Sequence, residues 1–300
     1  MAPGSTAIWK CTPVAQSVFR EQLQLGEQAG DVSQMALAHE ELGSVSAARE
    51  DYAQALQHFD KSYELNKSLR AEVYVGYTAM HRASVLWQIG RYEEAKDALA
   101  EAVRVAQQPE GDYRHLLANV HMVTALMEAS AGHYSQAKAQ SLQAISLAGA
   151  QYKSEIVAAK STLSLAQARD GARRASARSC QEALDLAAQT GDQAMLSGVW
   201  LACAETMLAN GEARPALEMT LRARESFSRF GQLDSEWRAW VIAANASQQL
   251  GETAPAREYA SNARDRLAKL EQKLGSEVYK GYLSRQDVQH FQQQLSQLTP

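Results

Sequence analysis

Small residues return along this chain at an almost constant interval, and that interval constrains the fold more than any other feature. They stand at Ala15, Ala55, Ala95, Ala137, Ser176, Ala216 and Ala256, separated by 40, 40, 42, 39, 40 and 40 residues. Most follow a turn signal. Gly90-Arg91-Tyr92 precedes Ala95, Gly132-His133-Tyr134 precedes Ala137, and Gly171, Gly211 and Gly251 precede Ser176, Ala216 and Ala256. Tyr52, without a Gly, leads to Ala55, and Thr12-Pro13 leads to Ala15. A fixed period of this length marks an array in which each unit packs only on its neighbours.

Composition decides what the units are made of. Only 6 of the 300 residues are Pro, and Ala, Leu, Gln, Glu and Arg are abundant, residues that lose little on entering a helix. Each unit therefore reads as two helical segments of about four turns flanking the turn, where Gly takes the left-handed backbone that a Cβ resists. The product is an antiparallel helix hairpin. Small side chains where two helices cross let the axes approach. The apolar face that each hairpin leaves uncovered forces stacking on the next.

On these residues the chain resembles the tetratricopeptide repeat family, in which Leu-Gly, Tyr, Ala and Phe recur with a period of about 34. Leu42-Gly43, Tyr52, Ala55 and Phe59 carry the pattern in one copy. Later copies keep Ala83, Ala125, Ser164, Ala204 and Ala244 in the first helix, and Ala102-Val103, Ala144-Ile145 and Ala183-Leu184 in the second. The Phe position becomes Leu99, Ser141, Cys180, Thr220 and Ala260, and the usual Pro after the second helix is missing. The resemblance runs from about Thr12 to Leu274 and implies an all-α, right-handed superhelical solenoid. The longer period looks like the variant found in helical sensor and scaffold domains of bacterial regulators.

The two ends differ from the array. Residues 1–12 form a leader, residues 13–274 a half repeat plus about six hairpins, and residues 275–300 a capping helical segment. Thr12 is placed to cap a helix that Pro13 starts. Residues 15–30 align with the second helix of a repeat whose first helix is absent, so the chain is expected to be the C-terminal part of a larger protein with a catalytic or DNA-binding domain upstream. Ser284 and Asp287 are spaced as a capping box before a Gln-rich helix to Gln297, expected to cover the last apolar face.

Charge and motif content narrow the function. A net charge of -4 gives no reason to expect a nucleic-acid or anionic-membrane partner. No stretch approaches the roughly 18 apolar residues of a membrane span, and a signal peptide is not apparent in the first ten residues. Cys11, Cys180 and Cys203 are odd in number and widely spaced, so the sequence predicts no disulfide and no zinc site, with Cys180 a small buried hydrophobe. That points to a reducing, cytoplasmic setting. The seven His lie singly, His39-Glu40-Glu41-Leu42-Gly43 lacks the second His of a zinc-protease helix, and no phosphate loop or nucleophile elbow is present. The expectation is a protein that is not an enzyme and holds no metal or cofactor.

In the tetratricopeptide family the first helices line the concave face. The resemblance then marks Glu40, Ser44, Tyr77, Met80, Ser84, Trp87, Asn119, Met122, Leu126, Ser161, Leu165, Glu205, Arg238, Val241, Asn245 and Gln248 as inward positions. Tyr77, Met80 and Trp87 on one helix face are either core or an aromatic anchor for a partner. Asn119 and Asn245 could pair with the backbone of an extended peptide, whereas the paired cationic clamp for a C-terminal carboxylate is missing. Arg169, Arg173, Arg174 and Arg178 are either a solvated turn or a patch for an acidic peptide or phosphate. Two functions follow from the resemblance: a protein interaction scaffold binding a peptide or partner domain in the groove, or a sensor holding a small molecule between repeats.

Overall fold

The computed structural model describes residues 13–108 and 113–298. Fifteen helices and no strand lie among them: α1 (Pro13–Ala29), α2 (Val32–Ala48), α3 (Tyr52–Ser68), α4 (Glu72–Gln88), α5 (Tyr92–Ala106), α6 (Arg114–Ser130), α7 (Tyr134–Leu147), α8 (Lys153–Arg169), α9 (Arg173–Thr190), α10 (Gln193–Ala209), α11 (Ala213–Phe230), α12 (Leu233–Gln249), α13 (Thr253–Leu274), α14 (Ser276–Leu283) and α15 (Gln286–Gln297). From α2 to α13 they pair as six hairpins, each helix packing most on its hairpin mate, and α1 packs on α2. The fold is an all-α solenoid. Thr12 and Cys11 lie outside the described residues.

The small-residue ladder is the spine of the packing. Ala15, Ala55, Ala95, Ala137, Ser176 and Ala216 are 0% exposed and Ala256 is 4% exposed. Their first-helix counterparts Ala83, Ala125, Ser164, Ala204 and Ala244 are also fully buried. Helices also approach closely at Gly43 and Gly76, where a Cβ would stand 2.6 Å from the Phe59 ring and 2.6 Å from Leu116. The glycines that end the first helices adopt left-handed backbone, with φ between 74° at Gly132 and 81° at Gly211. In the first hairpin that position is held by Glu50, at φ 59°, a conformation a side chain enters only against strain.

That strained residue meets a neighbour from the other end of the array. The buried Glu50 carboxylate accepts hydrogen bonds from the backbone N–H of Asp234 at 2.7 Å and of Ser235 at 3.1 Å, at the start of α12. Gln232 donates to the Ala48 carbonyl at 3.0 Å, and Lys273 at the end of α13 donates to the Arg49 carbonyl at 2.6 Å. A second seam joins the α4–α5 turn to the C-terminal segment. A Cβ at Gly90 would fall 2.1 Å from the Gly281 carbonyl oxygen, so only bare backbone fits there. Nearby, the Tyr92 and Ser284 hydroxyls are 3.1 Å apart. The first two hairpins thus touch the last hairpin and the cap, and the array closes on itself.

The C-terminal segment departs from the expected capping box. Arg285, not Ser284, occupies the N-cap position of α15. Ser284 Oγ donates to the Gly281 carbonyl, and Asp287 is drawn to Arg285 and Arg238, whose charges outcompete a backbone N–H for its carboxylate. Val288, Phe291, Leu295 and Leu298 do pack with Ala260, Ala263 and Leu270 of α13. The segment also turns inward along α12, which the sequence reading did not anticipate.

The cysteine expectation is corrected. Cys180 on α9 and Cys203 on α10 are joined by a disulfide with Cα atoms 5.6 Å apart, inside the usual range for such a bond. Stacking lays the first helix of one hairpin against the second helix of the preceding one, bringing together residues that lie 23 apart in sequence. The sequence argument for a reducing compartment falls with it. No helix among the described residues is long and apolar enough to cross a membrane.

Candidate partner-binding groove

The first helices of successive hairpins form the inner wall of the array, and α15 enters the space they enclose. Two adjoining hollows of about 380 Å³ and 400 Å³ remain there. The first lies between α4, α6 and α15, lined by Ser84, Trp87, Gln88 and Tyr134 on one side and Gln286, Asp287 and His290 on the other. The second lies between α8, α10 and α15, lined by Val157, Leu165, Met195, Gly198, Val199 and Ile242. Leu126, Leu165, Glu205, Arg238 and Phe291 border both.

Of the residues marked from the sequence, Ser84, Trp87, Leu126, Ser161, Leu165, Glu205 and Arg238 line these hollows. Trp87 is held in place by donating from Nε1 to Ser130 Oγ at 2.7 Å and by an edge contact with Tyr92 at 4.7 Å. Others do not reach the open space. Met80 is only 2% exposed and belongs to the core, and Met122 packs against the same core. Asn119 is buried and donates to the carbonyl of His115 one turn earlier at 2.9 Å, and Asn245 donates to Gln294 of α15 at 2.8 Å. Neither amide stands ready for the backbone of an extended peptide.

Most inward polar side chains tie one repeat to the next. Glu40 accepts from Thr78 at 2.7 Å and bonds His81, linking α2 to α4. Tyr77 bonds His115 Nδ1 at 2.5 Å, and His115 Nε2 bonds Glu155 at 2.9 Å, linking α4, α6 and α8. If Nε2 carries the proton, the Tyr77 hydroxyl donates to Nδ1 and both contacts are satisfied. Burial alone would raise the Glu155 carboxyl; the hydrogen bond and charge of His115, together with a backbone N–H and Asn119, outweigh it and hold the group below the ordinary carboxylate range. Burial raises the Tyr77 phenol. The anchor expected of Tyr77 is therefore a bridge between repeats.

Where the hollows meet, charges are paired. Arg238 Nη2 donates to Asp287 at 2.9 Å and its Nε to Asp234 at 2.9 Å, while Arg169 donates to Glu205 at 3.3 Å. Burial would raise Asp287, but Arg238 and Arg285 overcome it and hold the carboxyl at about 2. Burial pushes the Glu205 carboxyl up against the pull of Arg169 and Arg238. The arginine patch of the sequence reading is split by this pairing. Arg169 is drawn to the groove, whereas Arg173, Arg174 and Arg178 stand exposed on the outer helix α9.

Phe291, His290 and Asp287 of the cap were not marked from the sequence, because they follow the last repeat and no periodic register points them inward. Gly198 was also missed. It interrupts α10 with neither a turn nor a positive φ, which is the signal that could have singled it out. Among the described residues no group of three or more His, Cys, Asp or Glu is arranged to hold a metal ion.

Comparisons place this architecture among known proteins. The family described as anaphase-promoting complex subunit 5 matches residues 43–130. No curated protein matches the chain. Among solved structures, a Rap protein complexed with competence and sporulation factor superposes with a TM-score of 0.59 at 12% identity, covering 95% of this chain and 87% of that one. The fold is a tetratricopeptide-like helical repeat. The apo form of RapI gives a TM-score of 0.53 at 9% identity over 88% of this chain and 99% of that one. BtubC (BKLC) from P. vanneervenii gives 0.54 at 15% identity over 73% and 92% respectively.

Proposed function

We propose that this chain is a tetratricopeptide-repeat interaction scaffold, without catalysis of its own, that holds a segment of a partner protein in the groove between its first helices and α15. One observation carries the reading: the groove already holds a helix. α15 is seated against α12 through Arg238–Asp287, Asn245–Gln294 and the edge contact of Phe291 with Trp237 at 5.9 Å. Beside it the wall continues as apolar surface with no other segment of the described residues on it, and Leu126 stands 46% exposed there. A large apolar side chain left open in a concave wall marks a surface built for association. That a Rap protein was captured with competence and sporulation factor supports the view that a fold of this shape receives a ligand.

The test is site-directed photo-crosslinking in the source cells. A benzoylphenylalanine at Leu126 is expected to capture a discrete polypeptide, whereas the same group at Lys96, exposed on the outer helix α5, is not. Equal capture at both positions, or none at Leu126, defeats the groove reading.

A further inference from the structure

The second hollow can be assigned an occupant. We propose that the trough between α8, α10 and α15 is the anchor site for an amphipathic helix of the partner, which inserts a row of about three aliphatic side chains at helical spacing. The assignment rests on the scaffold reading and goes beyond it.

The shape comes from the wall. Ala158, Ser161 and Leu165 follow one another at successive turns of α8, so the trough runs straight for roughly 10 Å at the helical rise of about 1.5 Å per residue. Three side chains at i, i+4 and i+7 of a docking helix span about the same length. The volume of about 400 Å³ exceeds twice the roughly 150 Å³ of an apolar cavity that accepts a benzene ring. It holds several aliphatic groups and is too narrow for a whole helix, which would lie across its mouth.

The lining chemistry selects what enters. Ser161 and Thr162 have spent their hydroxyls on the Val157 and Ala158 carbonyls, at 2.9 Å and 3.1 Å. At the closed end Glu205 and Arg238 are matched by Arg169 and Asp287. Apart from the exposed Ser154, no hydroxyl along the trough is left to donate to a peptide backbone. An extended segment would bury unmet N–H and C=O groups there, which is costly. A helix meets its own backbone needs and presents only side chains, as α15 already does on the adjoining wall.

Gly198 supplies an independent sign. It sits in the interior of α10, where glycine weakens a helix. A Cβ at this position would meet nothing within 4 Å, so no side chain of this protein requires the vacancy. A close approach from outside the chain would require it.

The experiment uses the full chain and three blocked, fluorescein-labelled 16-residue peptides in a helix-forming Ala/Gln background. One carries Leu at the three guest positions, one carries Ser there, and one carries the three Leu with a central Pro. By fluorescence anisotropy the Leu helix is expected to bind at least tenfold more tightly than the other two. Gly198→Leu, which fills the trough, is expected to lose at least tenfold. Gly198→Ala provides a variant certain to keep the helix, and is expected to raise the melting temperature while weakening binding several-fold. Equal binding of the Leu and Ser peptides, binding undiminished in both Gly198 variants, or a Pro peptide as tight as the helix each overturns the assignment. So does sodium decanoate binding in the trough with no Leu peptide bound, which would give the site to a free hydrocarbon ligand. A partner crosslinked at Leu126 that ignores Gly198→Leu would leave the scaffold standing and remove only this anchor; absence of that crosslink removes the scaffold itself.

Discussion

Glu50 and Arg70 are the two described non-glycine residues with positive φ, at 59° and 55°, yet their strain has different uses. Arg70 is exposed, and its left-handed backbone only ends α3. Replacing it with glycine is expected to stabilise the fold by about 1 kcal/mol, since the left-handed region costs an L-residue roughly 1–2 kcal/mol. Glu50→Gly relieves the same strain but deletes the acceptor for two buried N–H groups of α12, each worth about 1–3 kcal/mol if left unmet. It is expected to destabilise. Urea unfolding of both variants checks the opposite signs, and two stabilising outcomes would show that the Glu50 contact contributes little.

At the scale of the element, α15 is fastened by a small ionic network in the groove. Asp287 is shared by Arg238 and Arg285, and Arg285 is itself only 4% exposed. Removing one partner of a buried charge pair costs about 3–5 kcal/mol, so Asp287→Ala is expected to lose stability of that order. Amide exchange along 286–297 should accelerate before that of the hairpins; a stability loss with α15 exchange unchanged would place the fastening elsewhere. These elements also show how far the sequence could be read. The hairpins were legible because Ala95, Ala137 and Ala216 are small for a packing reason that repeats at each crossing. The groove wall was legible at Ser84, Trp87, Glu205 and Arg238 because the first helices share one register. Met80 and Asn119 were misassigned because a shared register gives only a direction, and packing depth then puts one residue in the core and another against its own helix. The course of α15 and the Cys180–Cys203 bond were not legible. The first depends on which non-repeating surfaces meet; the second lies at a repeating helix contact, but periodicity does not say which two side chains on facing helices come within reach.

The whole molecule depends on contacts between its ends, and these have a pH signature. Burial, reinforced by the Asp234 carboxylate and opposed by Lys273, raises the Glu50 carboxyl from 4.5 to about 7. A carboxyl raised by folding favours the fold when protonated. Its contribution is therefore complete below about 4.5 and is lost as pH rises through about 7. His39, which burial and then His58 lower to about 4, acts in the opposite sense below its ordinary range, so the informative quantity is a difference between proteins. Relative to the parent chain, Glu50→Gln is expected to gain urea resistance between pH 5.5 and pH 8. A constant offset across that interval would remove Glu50 as the source.

The contact of Glu50 with α12 has one more consequence. An open row of hairpins behaves like a zipper, able to come apart from either end while the middle persists. Here the first hairpin is stitched to the sixth, so opening at Glu50 also uncaps the start of α12 and loosens the base on which α15 rests. The molecule is a hoop with a buckle, and the buckle and the groove fail together.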